Sequence, residues 1–235
     1  MGMLLLFLFC AGCQSKLVST SRTNGEIPPI HNLVVFGFRS ALPVGDEPDV
    51  YRDAVTGGVH MAEPVPQNVA YYMTQALFDR LLEDNAYALA PAGKAKGVFA
   101  QIIAADPDAK LGGAEILREV GRSLEGDAVI AGTIYRWRDR VGAEYGVERA
   151  ASVAFSLYLV DSRDGAVLWR GQFDKTQKAL TENIFDLGIF YRSGGKWLTA
   201  EQLALIGLEQ LIKEMPGRPA KTDADEIKEI EDLDV

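Results

Sequence analysis

The clearest hydrophobic pattern in the chain is a two-residue alternation that begins at residue 151. Its apolar positions are Ala151, Val153, Phe155, Leu157 and Leu159. A period of two places successive side chains on opposite faces of a strand, so this segment predicts a strand with one apolar face. The turn-forming sequence at 161–165 and the apolar segment 166–173 then predict that it forms an antiparallel hairpin.

Three segments repeat their apolar residues every three or four positions, which is the period of an amphipathic helix. The first spans 67–84, and its stripe consists of Val69, Met73, Leu77 and Leu81. The second begins near Gly113, and its stripe consists of Ile116, Leu117, Val120 and Leu124. The third spans 199–215 and starts with a capping box formed by Thr199 and Gln202.

Short apolar runs rich in branched and aromatic residues predict the remaining strands, at 32–38, 86–90 and 128–137. Residues 39–66 are rich in Pro, Gly and Asp and are predicted to form a long loop. The order strand, helix, strand, helix, strand, hairpin and helix predicts a single α/β domain over 31–216. We expect a mixed sheet with helices mainly on one face.

Composition and charge exclude several classes of protein. With 48% hydrophobic and 24% charged residues in 235, the chain has the composition of a globular domain. Its net charge of -9 argues against nucleic acid as a partner, because phosphate binding needs a basic surface. Residues 217–235 combine many acidic residues with few apolar ones and are predicted to be a disordered acidic tail.

The amino terminus is predicted to carry a targeting signal. An apolar run at 4–9, too short to span a bilayer, precedes Cys10-Ala11-Gly12-Cys13. This sequence resembles the bacterial lipobox, which implies that 1–12 is a signal peptide and that Cys13 is lipidated. Gln14 in place of Asp implies the periplasmic face of the outer membrane, and 13–30 is predicted to be a flexible tether. The alternative is a buried apolar segment with two incidental thiols.

Cysteine and histidine counts limit the chemistry of the domain. If Cys10 leaves with the signal and Cys13 is lipidated, the domain has no free thiol, which excludes a catalytic cysteine or a cysteine-based metal site. His31 and His60 are the only two histidines, so a three-histidine metal site is excluded. The chain has no phosphate-binding loop, nucleophile elbow or dinucleotide fingerprint. We therefore expect no metal and no cofactor.

Two stretches resemble a known group of proteins. Residues 126–137 (GDAVIAGTIYRW) place a Gly-Asp pair before a strand, and 154–173 (AFSLYLVDSRDGAVLWRGQF) join two strands through a Gly-containing turn. They resemble the periplasmic lipoproteins related to the curli-secretion channel protein, the outer-membrane activator of penicillin-binding proteins and the amino-terminal domain of TolB. The resemblance implies a fold like that of the TolB amino-terminal domain. It implies no catalytic residue, because these motif residues shape a sheet and a turn.

The roles of two of these relatives do not suit this chain. A pore needs lipid-facing strands of about 9–11 residues, and neither 39–66 nor 176–197 supplies two of them. The predicted tether is also short for crossing the peptidoglycan layer, as the activator's tether does. The expectation that remains is a lipoprotein that docks another envelope component, such as a protein or peptidoglycan.

Four arginines flank the loop between the strand predicted at 128–137 and the strand that begins at 151, and they are Arg136, Arg138, Arg140 and Arg149. With Trp137 and Tyr145 nearby for stacking, they are candidates for an anion site that binds lipid headgroups or acidic glycan. The alternative is a solvated sheet edge in which these arginines pair with Asp139, Glu144 and Glu148.

An aromatic run at 183–197 is a second candidate surface. It contains Phe185, Phe190, Tyr191 and Trp197, which are residue types that dominate protein interfaces. The run is predicted either to dock a partner or to cover the second face of the sheet.

Two classes of function remain open from the sequence. The first is a non-enzymatic outer-membrane lipoprotein that binds another envelope component. The second is an enzyme that acts on envelope glycan through carboxylates such as Asp161 and Asp164. Because both carboxylates lie in a predicted tight turn, where Asp is expected for local backbone bonding, we favour the first.

Overall fold

The domain contains ten strands and four helices within the part of the chain that its computed structural model describes, residues 18–22, 27–105, 111–144, 146–177 and 196–219. The strands are β1 Val18–Arg22, β2 Asn32–Ser40, β3 Asp49–Arg52, β4 Val59–Ala62, β5 Ala88–Ala90, β6 Ala128–Arg138, β7 Val141–Ala143, β8 Gly146–Arg149, β9 Ser152–Asp161 and β10 Val167–Thr176. The helices are α1 Gln67–Asp84, α2 Ala92–Ala105, α3 Gly113–Ser123 and α4 Ala200–Glu214.

Six strands form one mixed sheet in the order β1-β10-β9-β6-β2-β5. β2 is parallel to β5 and β6, whereas β6, β9, β10 and β1 pair antiparallel in that order. All ten residues of β9 are buried, which requires that both faces of the sheet are covered. The predicted α/β fold with a mixed sheet and the predicted β9–β10 hairpin are confirmed.

The two longest helices, α1 and α4, lie on one face of the sheet, called the α1/α4 face below. There Leu77 and Leu208 belong to the same apolar core as Leu33, Ile130 and Phe155 from the strands. The apolar stripe predicted for 67–84 is buried at all four of its positions. This face contains the larger of the two helix-covered cores.

The opposite face, called the α2/α3 face below, has a smaller apolar core. Leu117 and Val120 of α3 pack with Val34, Val129 and Val160 of the sheet. Helices therefore lie on both faces, and the expectation that they lie mainly on one holds only for the two longest. The rest of the α2/α3 face carries the small β3–β4 sheet, which is described with the candidate site.

Helix α2 lies between the strand predicted at 86–90 and the helix predicted to begin near Gly113, where the sequence analysis predicted no helix or strand. Pro91 precedes it, and Gly93 and Gly97 lower its intrinsic helix propensity. Only Ala95 is fully buried, while Phe99 and neighbouring apolar residues pack partly against the α2/α3 face. Tertiary packing rather than local propensity stabilises this helix, which is why the single-segment pattern did not reveal it.

The predicted long loop at 39–66 is also wrong, because it contains β3 and β4. The two strands pair antiparallel, with Tyr51 opposite His60. Each has only four residues, too few for a clear alternation to appear in the sequence. β7 and β8 form a second small hairpin after β6.

The prediction of a flexible tether over 13–30 is wrong for its described residues. Val18–Arg22 forms β1, which pairs along the free edge of β10 with Val18 opposite Phe173. Ile30 is buried, and its N–H donates to the carbonyl of Gly217 at 2.9 Å. A Ser- and Thr-rich segment has no apolar periodicity, but its backbone can still pair with an unoccupied strand edge.

The start of α4 agrees with the predicted capping box. The Gln202 N–H donates to Thr199 Oγ1 at 3.2 Å, and the Thr199 N–H donates to Gln202 Oε1 at 3.0 Å. Asp139 adds a third contact, since its Oδ1 accepts from the Ala200 N–H at 3.1 Å. Among the helices described, none is long and apolar enough to cross a membrane.

Candidate functional site

The most distinctive polar feature of the molecule is a buried carboxylate, Asp53, which directly follows β3 and is 1% exposed. Its Oδ1 accepts hydrogen bonds from the Val55 N–H at 3.0 Å, the Thr56 N–H at 2.9 Å and Thr56 Oγ1 at 3.1 Å. Its backbone N–H donates to the carbonyl of Gly58 at 2.8 Å. Asp53 therefore organises the turn that joins β3 to β4.

The second oxygen of Asp53 joins this turn to the main sheet. Oδ2 accepts from Tyr158 Oη at 2.8 Å, Thr133 Oγ1 at 3.2 Å and Tyr135 Oη at 3.3 Å. The two tyrosine hydroxyls also share a hydrogen bond. Three hydroxyls from β6 and β9 thus converge on one carboxylate and fix the position of the β3–β4 hairpin on the α2/α3 face.

The electrostatics of this cluster favour an ionised Asp53 and neutral tyrosines. Burial acts to raise the pKa of Asp53, but hydrogen bonds from Thr56, Tyr158 and Val55 outweigh it and hold this pKa below its usual range. Burial raises the pKa of Tyr135 to about 12, and burial together with its neighbours raises the pKa of Tyr158 further. The hydroxyls are therefore donors to a carboxylate that stays charged at neutral pH.

His60 completes the inner side of the hairpin. Its ring stacks on Tyr135 with centroids 4.0 Å apart and an interplanar angle of 10°. Its Nε2 lies 3.0 Å from Nη2 of Arg170, and burial together with the charge of Arg170 lowers the pKa of His60. The imidazole is therefore neutral at neutral pH, with Nε2 as the acceptor from Arg170.

This cluster is built to hold the hairpin in place. Six donor atoms lie within hydrogen-bond distance of the two oxygens of Asp53, so neither oxygen is free to act as a general base. In the described ranges, no three His, Cys, Asp or Glu side chains are grouped so that they could hold a metal ion. The hydrogen bonds of Asp53 to the turn and to the sheet give the cluster a structural role, which is to hold the β3–β4 hairpin in place.

The outer face of the hairpin carries exposed apolar side chains. Val50 pairs with Met61, and Arg52 pairs with Val59, so these four residues point away from the inner pair Tyr51 and His60. The exposed fractions are 58% for Val50, 58% for Val59 and 65% for Met61. We call Val50, Val59 and Met61 the hairpin patch, which consists of three exposed apolar side chains on one face of the hairpin.

The four predicted anion-site arginines lie at one end of the sheet, but two of them have partners other than those expected. Arg136 forms an ion pair with Asp174 and donates to Ser152 Oγ at 2.7 Å. Arg138 forms a bidentate pair with Glu63. The expected partners Asp139 and Glu144 are used elsewhere, at the Ala200 N–H and in an ion pair with Lys196, so that pairing scheme is wrong.

The other two arginines, Arg140 and Arg149, lie beyond the end of β6. Arg140 donates to the carbonyl oxygen of Trp197 at 2.6 Å and is half-buried. Arg149 ends β8 and is exposed. The structure thus brings all four arginines to the end of β6 and the adjoining β7–β8 hairpin, and the anion site itself stays a prediction.

Several predicted site residues lie outside the described residues. These are Cys13, Phe185, Phe190 and Tyr191, so lipidation and the docking loop stay predictions. Trp197 is described and half-buried, and its N–H donates to the carbonyl of Glu144 at 2.8 Å. The second face of the sheet is covered by α2, α3 and the β3–β4 hairpin.

The carboxylates of the alternative enzymatic hypothesis serve the turn between β9 and β10. Asp161 accepts from the Arg163 N–H at 2.7 Å and from its guanidinium, which lowers the pKa of Asp161. Asp164 Oδ1 accepts from the Ala166 N–H at 2.8 Å. Both contacts are the local backbone bonds expected of Asp in a tight turn.

Two sequence signals could have revealed the Asp53 cluster. Tyr135 and Tyr158 interrupt otherwise apolar strands, and a buried tyrosine hydroxyl needs a hydrogen-bond partner. The sequence Asp53-Ala54-Val55-Thr56-Gly57 has the composition of an Asp-capped turn. What the sequence could not supply was the pairing, since Asp53 and Tyr158 are separated by 105 positions.

Comparison with known proteins identifies similar structures. No protein-family model matches the chain, and no curated protein matches it. The PelC dodecamer from Paraburkholderia phytofirmans is 13% identical, with a TM-score of 0.44, over 87% of this chain and 99% of that one. Lipoprotein GNA1162 from Neisseria meningitidis is 18% identical, with a TM-score of 0.39, over 74% and 96%.

The LpoB C-terminal domain from Salmonella enterica is also similar, with 14% identity and a TM-score of 0.38 over 64% of this chain and 86% of that one. The envelope lipoprotein group that the two sequence motifs resemble is represented among these matches. At such low identity the similarity concerns the fold, and no residue role is transferred from these proteins to this chain.

Proposed function

We propose that this protein is a lipid-anchored module on the periplasmic face of the outer membrane, and that it binds another envelope component without catalysing a reaction. The lipobox-like sequence ending at Cys13 supports the anchor, and two or three acyl chains give stable attachment. The observation that carries the binding role is the hairpin patch, Val50, Val59 and Met61, on the solvent side of the β3–β4 hairpin.

The position of this patch suits a binding surface. Exposed apolar side chains scattered singly need no explanation, whereas a group of them on one element indicates an interaction site. Asp53 joins the hairpin to the sheet through the hydroxyls of Thr133, Tyr135 and Tyr158, so the outer face of the hairpin is preorganised. Binding to a preorganised surface loses little conformational entropy, which favours affinity.

The glycan-acting alternative has less support from the geometry. Asp161 and Asp164 are engaged in the turn that follows β9, and Asp161 is buried. A general acid and base on glycan need carboxyl oxygens that reach the substrate. For this reason we assign the protein a binding role.

The anchor is tested by the variant Cys13→Ala together with mass spectrometry of the mature amino-terminal peptide. The parental peptide is expected to carry acyl chains on Cys13. The variant is expected to appear in the soluble periplasmic fraction or as an uncleaved precursor, because the acyl chains supply the strong membrane affinity. Parental amounts of Cys13→Ala in the outer membrane would refute the anchor.

The binding surface is tested by placing a photo-crosslinking amino acid at Val50 or Met61 in cells. Leu82 on α1 is the matched control, because it has the same 58% exposure as Val50 but lies on the other side of the sheet. We expect a discrete adduct of higher mass from Val50 and Met61 and none of that mass from Leu82. The same adduct from all three positions, or none from any, contradicts the assignment.

A further inference from the structure

The direction of β1 defines which end of the sheet faces the anchor. β1 begins at Val18, opposite Phe173 near the end of β10, and finishes at Arg22, opposite Trp169. The same end contains the last residue of β6 and the first of β9, since Arg138 pairs with Ser152 and Ser152 with Thr176. We call this the anchor end of the sheet.

The docked strand leaves little chain between the domain and the lipid. Four residues separate Cys13 from Val18. Five residue steps at about 3.3–3.6 Å each span at most roughly 18 Å. β6 alone, with eleven residues, extends roughly 36 Å along the sheet. The opposite end of the sheet therefore lies well beyond this reach, and the anchor end is the one held next to the membrane.

The anchor end carries the arginines that the sequence analysis identified. Arg138 ends β6, Arg140 precedes β7 and Arg149 ends β8, with Arg138 and Arg149 exposed. The segment 136–149 has four arginines and three acidic residues, whereas the whole chain has a net charge of -9. Arginine binds phosphate oxygens in a bidentate manner, and its long side chain reaches across an interface.

The acidic part of the chain leaves from the opposite end. The Gly217 carbonyl accepts from Ile30, two residues before the start of β2, and Arg218 pairs with Asp84 at the end of α1. Seven acidic and two basic residues follow in 220–235. The described chain therefore ends at the end of the sheet opposite the arginines, and the acidic residues follow from that point in the sequence.

We infer that the anchor end rests on the phospholipid headgroups of the membrane that holds Cys13, with Arg138, Arg140 and Arg149 against lipid phosphates. This inference rests on the proposed lipidation of Cys13. The short linker confines the domain, and the arginines select which surface it presents.

The orientation can be tested independently of cellular lipidation. In the mature chain beginning at Cys13 this is the only cysteine, so its thiol can be coupled to a maleimide lipid in vesicles of phosphatidylethanolamine and phosphatidylglycerol. Hydrogen exchange is then compared between coupled and free protein. We expect coupling to slow exchange in 136–149, to leave the turn at 161–166 unchanged, and to lose this protection at high salt.

Two single charge reversals sharpen the test. Arg149→Glu should lose the protection of 136–149, whereas Arg122→Glu, an exposed arginine at the end of α3 near the opposite end of the sheet, should retain it. The amides of β1 should be protected in both free and coupled protein. Rapid exchange of β1 in the coupled state would overturn the inference, because the linker would then be long.

Three further results would also overturn the inference. They are protection of 136–149 in Arg149→Glu, equal protection on purely zwitterionic phosphatidylcholine vesicles, and protection of free protein by acidic glycan fragments in place of lipid. The failure of the proposed anchor has a separate signature, since it appears as an unlipidated Cys13 in cells while the coupled protein behaves as expected.

Discussion

The elements that cover the two faces of the sheet are held in place by different kinds of interaction. On the α1/α4 face, strands and helices meet through apolar side chains such as Phe155 and Leu208. On the α2/α3 face, the β3–β4 hairpin is held through a charged carboxylate and three hydroxyls. Apolar packing is strong but tolerant of small shifts, whereas converging hydrogen bonds require one position. We conclude that apolar packing on the α1/α4 face stabilises the fold, whereas the hydrogen bonds on the α2/α3 face fix the position of the hairpin and of its outer surface.

The largest expected effect comes from removing a central side chain of the apolar face. Phe155→Ala should lower the free energy of unfolding by about 3–5 kcal/mol, since it leaves a cavity in a close-packed core. The Phe155 ring contacts Phe38 and Phe173 at centroid distances of 5.6 and 5.4 Å. Urea denaturation measures the change, with Leu82→Ala on the exposed side of α1 as the control. Equal losses in both variants would contradict the assignment of this core.

A smaller loss is expected from the polar face. Asp53→Asn keeps the size of the side chain, but its amide cannot accept from both the turn N–H groups and the sheet hydroxyls. We expect a loss of about 1–3 kcal/mol of unfolding free energy, together with faster hydrogen exchange in 49–62. Uniformly faster exchange over the whole domain would show that Asp53 stabilises the fold globally and does not position the hairpin.

Lowering the pH should selectively weaken the contacts of Asp53 that hold the β3–β4 hairpin on the α2/α3 face. Because the folded pKa of Asp53 is depressed, its stabilisation is complete above the unfolded pKa of about 3.9 and is lost as the pH falls through the folded value. The stability difference between the parental protein and Asp53→Asn should therefore narrow below about pH 4. Denaturation experiments from neutral to acidic pH measure this stability difference. The titration of Asp161 affects both proteins equally and therefore does not change the difference. A constant difference would refute an ionised Asp53.

The smallest effect is expected on the outside of the same hairpin. Met61→Gln replaces an exposed apolar side chain by a polar one of similar length, so the free energy of unfolding should change by less than about 0.5 kcal/mol. The crosslinked adduct expected from position 50 should nevertheless be lost in this variant. A marked loss of stability would show that Met61 belongs to the folded core, contrary to its exposure.

The elements recognised from the sequence are those whose own residues carry the signal. Helix α1 has a complete apolar stripe, α4 has a capping box of two residues three positions apart, and β9 alternates over ten residues. The motif residues that carried the family resemblance can likewise be recognised within one short stretch of sequence. A Cβ on Gly126 would collide with the side chain of Val34, and Asp127 accepts from the Asn32 N–H at 2.8 Å, so these residues join β6 to β2.

The elements that were missed depend on partners distant in the chain. β1 exists because β10 offers an edge about 150 residues away, and α2 because the α2/α3 face is apolar beneath it. The Asp53 cluster joins four residues whose separations reach 105 positions. The arginine candidates are close together in the sequence, but the partners Glu63 and Asp174 of two of them come from other elements. Local patterns therefore predicted elements, and the assembled sheet determined the contacts.

The docked β1 also protects the protein against self-association. Without it, the ten-residue β10 would present a continuous row of unpaired backbone groups, which is a template for aggregation between copies. The edges that remain are β1 itself, which contains Ser, Thr and Arg, and the three-residue β5 at the other side. In the proposed lipid-anchored protein, proteolytic loss of the residues up to Arg22 would therefore release the domain from its lipid and also expose the edge of β10 for pairing with another strand.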